Sequence, residues 1–252
     1  MGPKIYGLIG RTLKHSYSGP IHRELGNSAY RLIELEPEEL AGFLGRDDLG
    51  GVNVTIPYKR DVIKFCGTLS PAARQIDSVN TIVRTAGGAL AGFNTDAYGL
   101  DYMAGRAGIS FGGKKVVIFG SGGASLTAQH VARRGGAREV AVISRSGKNS
   151  YANLFRHHDA AVLINTTPVG MYPDTGVSVA DAASFTGCTG ILDLVYNPRR
   201  TALIMQAEAL KIPCSGGLPM LVAQAKAAAE LFMDTEIDES EIERIIENCA
   251  AT

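Results

Sequence analysis

Short apolar runs alternate with segments of helical periodicity along this chain, and that alternation is typical of an α/β fold. Residues 116–119 and 140–143 are apolar at every position, as parallel strands covered on both faces should be. Small apolar residues at helical spacing follow the first run, over 124–132. A strand, a turn and a helix are therefore predicted in succession, as in a doubly wound, Rossmann-like sheet.

The same rules predict the remaining elements of the chain. Further strands are expected at residues 5–9, 30–35, 52–56, 77–83, 90–96, 161–164, 191–195 and 212–214. Further helices are expected at residues 20–25, 37–44, 70–76, 96–107, 201–210, 220–233 and 238–248. A glycine turn separates the strands at 77–83 and 90–96, which predicts an antiparallel hairpin.

A second glycine turn links the strand at 116–119 to its helix. Gly120 and Gly122 fit the pattern G-x-G-x-x-G, whereas Ser125 stands at the third position, where Gly or Ala is usual. Glycines let the backbone approach a pyrophosphate, and the N–H groups of the helix start point at its charge. A glycine-rich turn that binds no ligand is the alternative at this point.

The end of the strand predicted at 140–143 indicates which dinucleotide would bind. An NAD site normally has Asp or Glu there for the ribose 2′-hydroxyl, but residues 144–148 read S-R-S-G-K, without an acid. Arg145 suits the 2′-phosphate of NADP, with two serine hydroxyls and Lys148 nearby. These residues predict NADP, although Lys148 could equally belong to a solvated strand end.

In the N-terminal part, residues 51–59 read G-V-N-V-T-I-P-Y-K, with apolar and polar residues in alternation. This pattern predicts a strand with one apolar face, which Pro57 ends. Lys59 follows at the start of a predicted helix, where the helix dipole disfavours a cation, and this placement favours a functional role. Asp96 heads another predicted helix, where an acid also has an ordinary structural role.

Composition and charge narrow the class of protein. The 252 residues suffice for one large or two modest domains, and 25 basic residues balance 25 acidic ones. That balance argues against a general binder of nucleic acid or membrane surfaces. The four cysteines are widely spaced and Met1 leads directly into a predicted strand. We therefore expect reduced cysteines, no metal site and a cytoplasmic protein.

Taken together, these stretches resemble the shikimate dehydrogenase family nearly from end to end. The first half carries H-S-Y-S at 15–18, G-V-N-V-T-I-P-Y-K at 51–59, S-V-N-T-I at 78–82 and G-F-N-T-D-A-Y-G at 92–99. The second half carries G-S-G-G-A-S at 120–125, N-T-T-P-V-G-M at 165–171, D-L-V-Y-N-P at 193–198 and M-L-V-A-Q-A at 220–225. Eight motifs in the family's order are highly specific.

The resemblance implies a two-domain α/β enzyme that interconverts shikimate and 3-dehydroshikimate with NADP. Residues 1–100, with a mixed sheet and completed by the C-terminal helix at 234–252, would bind substrate, and 101–233 would form the Rossmann-like domain. Lys59 and Asp96 would be the catalytic pair. Residues implied to bind substrate are Ser16, Ser18, Thr55, Lys59, Asn80, Asp96, Tyr196 and Gln224. Residues implied to bind the cofactor are Gly120, Ser121, Gly122, Gly123, Ala124, Ser144, Arg145, Ser146, Lys148, Thr166, Leu194, Gly217 and Met220.

The chain departs from the family pattern at Gly19, where proline is usual, in the short segment 145–165, and in having no Trp. Ser16 and Ser18 could be simple capping and turn residues, and His15 and His22 are interpreted as structural. Two alternative functions stay open: a quinate/shikimate dehydrogenase with relaxed cofactor use, and a non-catalytic dinucleotide sensor on the same fold. A monomer or a homodimer is expected.

Overall fold

The structure, a computed structural model, describes residues 4–13 and 16–251. His15, which the sequence predicts to be structural, lies outside the described residues. The chain divides into two compact units, residues 1–98 with 222–252 and residues 99–221. The predicted domain ranges differ from these units mainly in residues 222–233, which lie with the first unit.

The first unit is built on a six-stranded mixed sheet with the order β2-β1-β3-β5-β6-β4. Its strands are β1 (Ile5–Gly10), β2 (Tyr30–Glu34), β3 (Leu49–Val54), β4 (Thr68–Leu69), β5 (Thr81–Arg84) and β6 (Leu90–Phe93). β1 is parallel to β2 and β3, whereas β5 is antiparallel to both of its neighbours. The predicted α/β class and the predicted hairpin are thus confirmed.

Helices cover both faces of this sheet. The α-helices that begin in the first half of the chain are α1 (Ser18–Glu24), α2 (Leu40–Leu44), α3 (Pro71–Ile76) and α4 (Asp96–Arg106), and residues 99–106 of α4 lie in the second unit. Leu8 and Ile9 point to opposite faces, as the period of two requires, and each belongs to a separate buried cluster. Leu8 packs with Ala228 and Phe232, and this contact explains why residues 222–233 belong to the first unit.

The second unit contains a five-stranded sheet that is parallel throughout, in the order β11-β10-β9-β7-β8. Its strands are β7 (Lys115–Phe119), β8 (Glu139–Ile143), β9 (Val162–Asn165), β10 (Gly190–Asp193) and β11 (Cys214–Ser215). The remaining α-helices of the described residues are α5 (Gly123–Arg134), α6 (Ala202–Ala209), α7 (Leu218–Met233) and α8 (Ser240–Ala251). Three short 3-10 helices lie at Asp61–Phe65, Tyr151–His157 and Ala182–Ser184. Residues 115–119 are all buried, which confirms the prediction of a strand covered on both faces.

Several predicted boundaries need correction. The strand predicted at 52–56 ends at Val54, and Ile56 is 78% exposed instead of lying on the buried face. Lys59 lies in a turn, and the short 3-10 helix that follows begins only at Asp61, so Lys59 is not at a helix start. The strand predicted at 77–83 begins at Thr81, and Asp77, with a left-handed backbone conformation and a φ of 56°, instead ends the preceding helix α3.

Candidate active site

Strand register brings the predicted substrate residues to one edge of the first sheet. Ile9 pairs with Val54, so the segments that follow β1 and β3 leave the sheet side by side. Thr81 pairs with both Asn53 and Phe93, so the residue before β5 and those after β6 reach the same edge. Ser16, Thr55, Lys59 and Asn80 lie in these connecting segments, and Ser18 and Asp96 are the first residues of the helices α1 and α4 that follow them.

Lys59 and Asp96 form a close ion pair at this edge. The Lys59 Nζ lies 2.6 Å from Asp96 Oδ2, and their side chains are 22% and 15% exposed. The Lys59 carbonyl accepts a hydrogen bond from the Val79 amide at 2.8 Å, which fixes the turn that carries the lysine. Partial burial strengthens this charge-assisted hydrogen bond, while the remaining exposure leaves the pair open to a small molecule.

Asn80 belongs to a buried hydrogen-bond network that fixes the start of α4. Its Oδ1 accepts from the Thr95 amide at 2.7 Å, and its Nδ2 donates to Thr95 Oγ1 at 3.0 Å. The Thr81 hydroxyl donates to Asn80 Oδ1, and Asn53 Nδ2 donates to Thr81 Oγ1, both at 3.0 Å. Because Asp96 directly follows Thr95, this network positions the acid that pairs with Lys59.

Sequence reasoning missed Asn53, Thr81 and Thr95 as members of the site. All three are almost fully buried, with 6%, 0% and 5% exposure. Buried polar side chains need partners, and an Asn or Thr in an otherwise apolar strand signals such a network. The motifs at 78–82 and 92–99 contain that signal, but the pairing between them is set by strand register.

Ser16 and Ser18 occupy the turn into α1. The Ser18 amide donates to Ser16 Oγ at 3.2 Å, so the Ser16 hydroxyl has the turn role that the sequence left open. That hydroxyl keeps its own hydrogen for a further acceptor. Ser18 is 9% exposed, and Thr55 is held after β3 by a hydrogen bond from its amide to the Ile9 carbonyl at 2.9 Å.

The last two predicted substrate residues lie in different units. Gln224 is on α7 in the part that belongs to the first unit, where it is 9% exposed. Tyr196 lies in the second unit, three residues beyond the end of β10. The first unit by itself therefore contains every predicted substrate residue except Tyr196.

In the second unit, the glycine turn follows β7 as predicted. Gly120 has a φ of 103°, and a Cβ on it would lie 2.7 Å from Thr166 Oγ1, so only glycine fits. A Cβ on Gly122 or Gly123 would meet nothing within 4 Å, and Ser121, Gly122 and Gly123 are exposed. The turn thus leaves open space in front of the first amides of α5, and Ala124 lies in the first turn of that helix.

This turn lies at the topological switch point of the sheet. β7 is flanked by β8 on one side and β9 on the other, and ligands of such sheets bind outside the carboxyl ends of the strands at this point. Thr166 follows β9 and donates from its hydroxyl to the Phe119 carbonyl at 2.6 Å. This hydrogen bond joins the segment after β9 to the end of β7, directly before the glycine turn.

A buried carboxylate that sequence reasoning did not single out fixes the next segment. Asp193 at the end of β10 is fully buried and accepts from Asn165 Nδ2 at 2.9 Å and from Thr201 Oγ1 at 2.6 Å. Burial raises the pKa of Asp193, and these hydrogen bonds act in the opposite direction. The Leu194 amide donates to the Asn165 carbonyl at 2.9 Å, so Leu194 lies beside the segment that follows β9.

The other predicted cofactor residues follow β8 and β11. Ser144 is half-buried, while Arg145, Ser146 and Lys148 are exposed in the loop after β8. Gly217 donates from its amide to the Val195 carbonyl at 2.9 Å, and Met220 lies in the first turn of α7. All thirteen predicted cofactor residues lie in the second unit, at or beyond the carboxyl ends of its strands.

The described residues contain no group of three or more His, Cys, Asp or Glu side chains placed to hold a metal ion. None of the helices in this part of the chain is both long and apolar enough to cross a membrane.

Known proteins similar to this chain carry consistent descriptions. A family profile described as the shikimate dehydrogenase substrate binding domain matches residues 8–82. A shikimate dehydrogenase (NADP(+)) from Clostridium beijerinckii is 32% identical over 93% of this chain and 94% of its own. A chorismate mutase/shikimate 5-dehydrogenase fusion protein from Clostridium acetobutylicum has a TM-score of 0.93 at 34% identity, covering 99% of this chain and 97% of that one. Shikimate 5-dehydrogenase from Thermus thermophilus, in complex with NADP(H) and shikimate, has a TM-score of 0.85 at 30% identity, covering 97% and 99%.

Proposed function

Because this chain belongs to the shikimate dehydrogenase family, we propose that it catalyses the reversible, NADPH-dependent reduction of 3-dehydroshikimate to shikimate. This reaction belongs to the biosynthesis of chorismate and the aromatic amino acids. The observation that carries the proposal is the ion pair of Lys59 and Asp96, 2.6 Å apart at a sheet edge lined with hydroxyl and amide groups.

Reduction of a ketone needs a hydride on carbon and a proton on oxygen. NADPH, when bound, supplies the hydride. The Lys59 ammonium delivers the proton and stabilises the negative charge that develops on the oxygen. Asp96 accepts a hydrogen bond from Lys59, which orients the ammonium group.

Neutral groups around this pair recognise the substrate. The hydroxyls of Ser16 and Ser18 bind the carboxylate, and Thr55, Asn80 and Gln224 bind ring hydroxyls. Asn80 suits this role because its amide is held from two sides and loses little freedom when substrate binds. A site built to hydrogen-bond hydroxyl groups strongly rejects analogues that lack them. Tyr196 is proposed as a further substrate residue.

The second unit fits a dinucleotide. The open glycine turn and the start of α5 hold the pyrophosphate, and Arg145 holds the 2′-phosphate with the help of Ser144, Ser146 and Lys148. Thr166, Leu194, Gly217 and Met220 line the rest of the dinucleotide site. The relative from Thermus thermophilus, whose structure contains NADP(H) and shikimate, supports this assignment.

The enzyme is proposed to act in the cytoplasm as a monomer or a homodimer. Its partners are small molecules, and the equal numbers of basic and acidic residues support the expectation that it binds neither nucleic acid nor membranes.

The proposal is tested by following NADPH absorbance when 3-dehydroshikimate is added to the purified protein. We expect oxidation that requires the substrate, and the reverse reaction with shikimate and NADP⁺. Quinate and NAD⁺ serve as comparison compounds, and we expect both to be poor. Absence of NADPH oxidation would indicate a non-catalytic sensor, whereas equal use of quinate would indicate the broader dehydrogenase.

A further inference from the structure

The segment after β8 is short, and its local structure brings an aromatic side chain next to Arg145. The Ser144 amide donates to the Asn149 carbonyl at 3.2 Å, and Ser144 forms an isolated parallel bridge with Ser150. A Cβ on Gly147 would lie 2.5 Å from Ser144 Oγ, so the loop passes close to Ser144 at the end of β8. The chain therefore returns to the end of β8 just before Tyr151.

Tyr151 is held there by its own contacts. Its ring stacks on Phe119 with the ring centroids 6.2 Å apart and the planes 20° apart. This is an ordinary geometry for an offset aromatic pair. Phe119 is fully buried and directly precedes Gly120, so Tyr151 lies beside the glycine turn. Although it covers Phe119, Tyr151 is 40% exposed.

The neighbouring charge of Arg145 and the exposure of the ring distinguish Tyr151 from an aromatic residue that only packs over the core. Arg145 and Tyr151 directly follow the two residues of the parallel bridge, Ser144 and Ser150, so their backbones lie close together. Burial raises the pKa of the Tyr151 phenol, and the positive charge of Arg145 acts in the opposite direction. Both side chains are solvent-accessible. A half-exposed ring beside an exposed guanidinium at the end of a nucleotide-binding strand can contact a base through its π-face.

The two anchor points of NADP fix where its adenine must lie. The pyrophosphate belongs at the glycine turn after β7, and the 2′-phosphate belongs at Arg145 after the neighbouring strand β8. The adenosine joins these two groups, so its base lies close to both of them. Tyr151 contacts the residue before the first anchor and lies near the second.

We propose that Tyr151 is a cofactor-binding residue whose ring forms the stacking platform for the adenine of NADP. This inference rests on the proposed function, because it assumes that the second unit binds NADP. It assigns a role to the abbreviated segment that departs from the family pattern. The ring, not the phenol hydroxyl, makes the contact.

Calorimetric titration with adenosine 2′,5′-bisphosphate, which carries only the adenosine end of the cofactor, tests the proposal. Tyr151→Leu keeps an apolar cover on Phe119 but removes the aromatic face, and Tyr151→Phe keeps the face. Base–aromatic stacking predicts that Tyr151→Leu weakens binding on the order of 5- to 100-fold. Tyr151→Phe should bind within about twofold of wild type, since it retains the stacking face. Phe155→Leu, an exposed aromatic in the same segment, is the matched control and should bind normally.

The thermal midpoint of each variant shows whether it is folded, and KM for shikimate should stay unchanged. If Tyr151→Leu binds the bisphosphate as wild type does, Tyr151 only covers Phe119 and the inference is wrong, whereas the proposed function stands. If Tyr151→Phe loses as much affinity as Tyr151→Leu, the assignment of the ring as a stacking platform is also wrong. If wild type binds neither the bisphosphate nor NADP⁺, both the inference and the proposed function fail.

Discussion

The buried network around Thr95 makes a quantitative prediction about how Asp96 is held in place. In Thr95→Val the shape of the side chain is kept, but its hydroxyl is lost. Asn80 Nδ2 then loses the acceptor at 3.0 Å, whereas Thr81 Oγ1 keeps its hydrogen bonds to Asn80 and Asn53. One buried donor is therefore left without this partner, which costs about 1–3 kcal/mol of unfolding free energy.

Urea unfolding followed by circular dichroism measures this cost, and the m-value should not change. We also expect a higher KM for shikimate with little change in KM for NADP⁺, because the Asn80 amide is then held through its Oδ1 alone and is less well oriented. Thr95→Ser, which keeps the hydroxyl, is the control and should keep the wild-type KM. If Thr95→Val is as stable as wild type and has the same KM, the network does not position the site.

Three further predictions concern the rest of the site and the core. Ser16→Ala and Ser18→Ala should raise KM for shikimate much more than KM for NADP⁺, because donors to the carboxylate are lost; wild-type kinetics in both would leave the serines as turn residues. Arg145→Ala should reduce the preference for NADP⁺ over NAD⁺ in kcat/KM by roughly ten- to a hundredfold, since a charge-assisted contact contributes about 1.5–3 kcal/mol. Arg138→Ala, at the other end of β8, is the control, and an unchanged preference in Arg145→Ala would exclude the phosphate contact. Burial lowers the pKa of His22 to about 3, so the folded state resists its protonation and unfolding free energy should fall as pH decreases below about 6.5. His22 should contribute up to about 1.4 kcal/mol per pH unit, and His22→Gln should remove that part of the slope in urea titrations; an identical slope in both proteins would refute the assignment.

Local patterns were sufficient to predict most elements of the fold. The two fully apolar runs became most of β7 and most of β8. β7 is buried along its whole length, as predicted, because a strand covered on both faces needs apolar residues at every position. The prediction of full cover was wrong for β8, which is the edge strand and in which Val140 and Val142 are only half-buried. Ser70 and Thr201 accept hydrogen bonds from the amides of Ala73 and Ile204 at helix starts, as cap residues do. Such features depend only on residues that are close together in the sequence, so the sequence alone is enough to predict them.

The differences from the predictions have a local and a distant cause. Ile56 continues the apolar alternation of β3, yet the strand ends before it, where the Thr55 carbonyl accepts from the Tyr58 amide in a local turn. The membership of residues 222–233 depends on packing against β1, more than two hundred positions away. Propensity and periodicity carry no information on such contacts.

The candidate site could likewise be predicted only in part. Motifs pointed to Lys59 and Asp96, but only the structure brings their charged atoms to 2.6 Å across 37 positions of the chain. The dipole argument that first singled out Lys59 does not apply, because the lysine lies in a turn. Its role now rests on the ion pair and on the network that holds its partner.

The kcat of four proteins in NADPH-dependent reduction of 3-dehydroshikimate tests the central claim that Lys59 and Asp96 act as one proton-transferring pair. These are the wild type, Lys59→Ala, Asp96→Ala and the double variant, with the exposed Lys64→Ala as a control for loss of a nearby lysine. Loss of general acid–base catalysis predicts that Lys59→Ala lowers kcat roughly a hundredfold or more, with only a modest change in KM. The double variant should be little worse than Lys59→Ala, because groups that act as a unit are not additive. A Lys59→Ala enzyme that keeps most of its kcat, or single losses that multiply in the double variant, would contradict the claim.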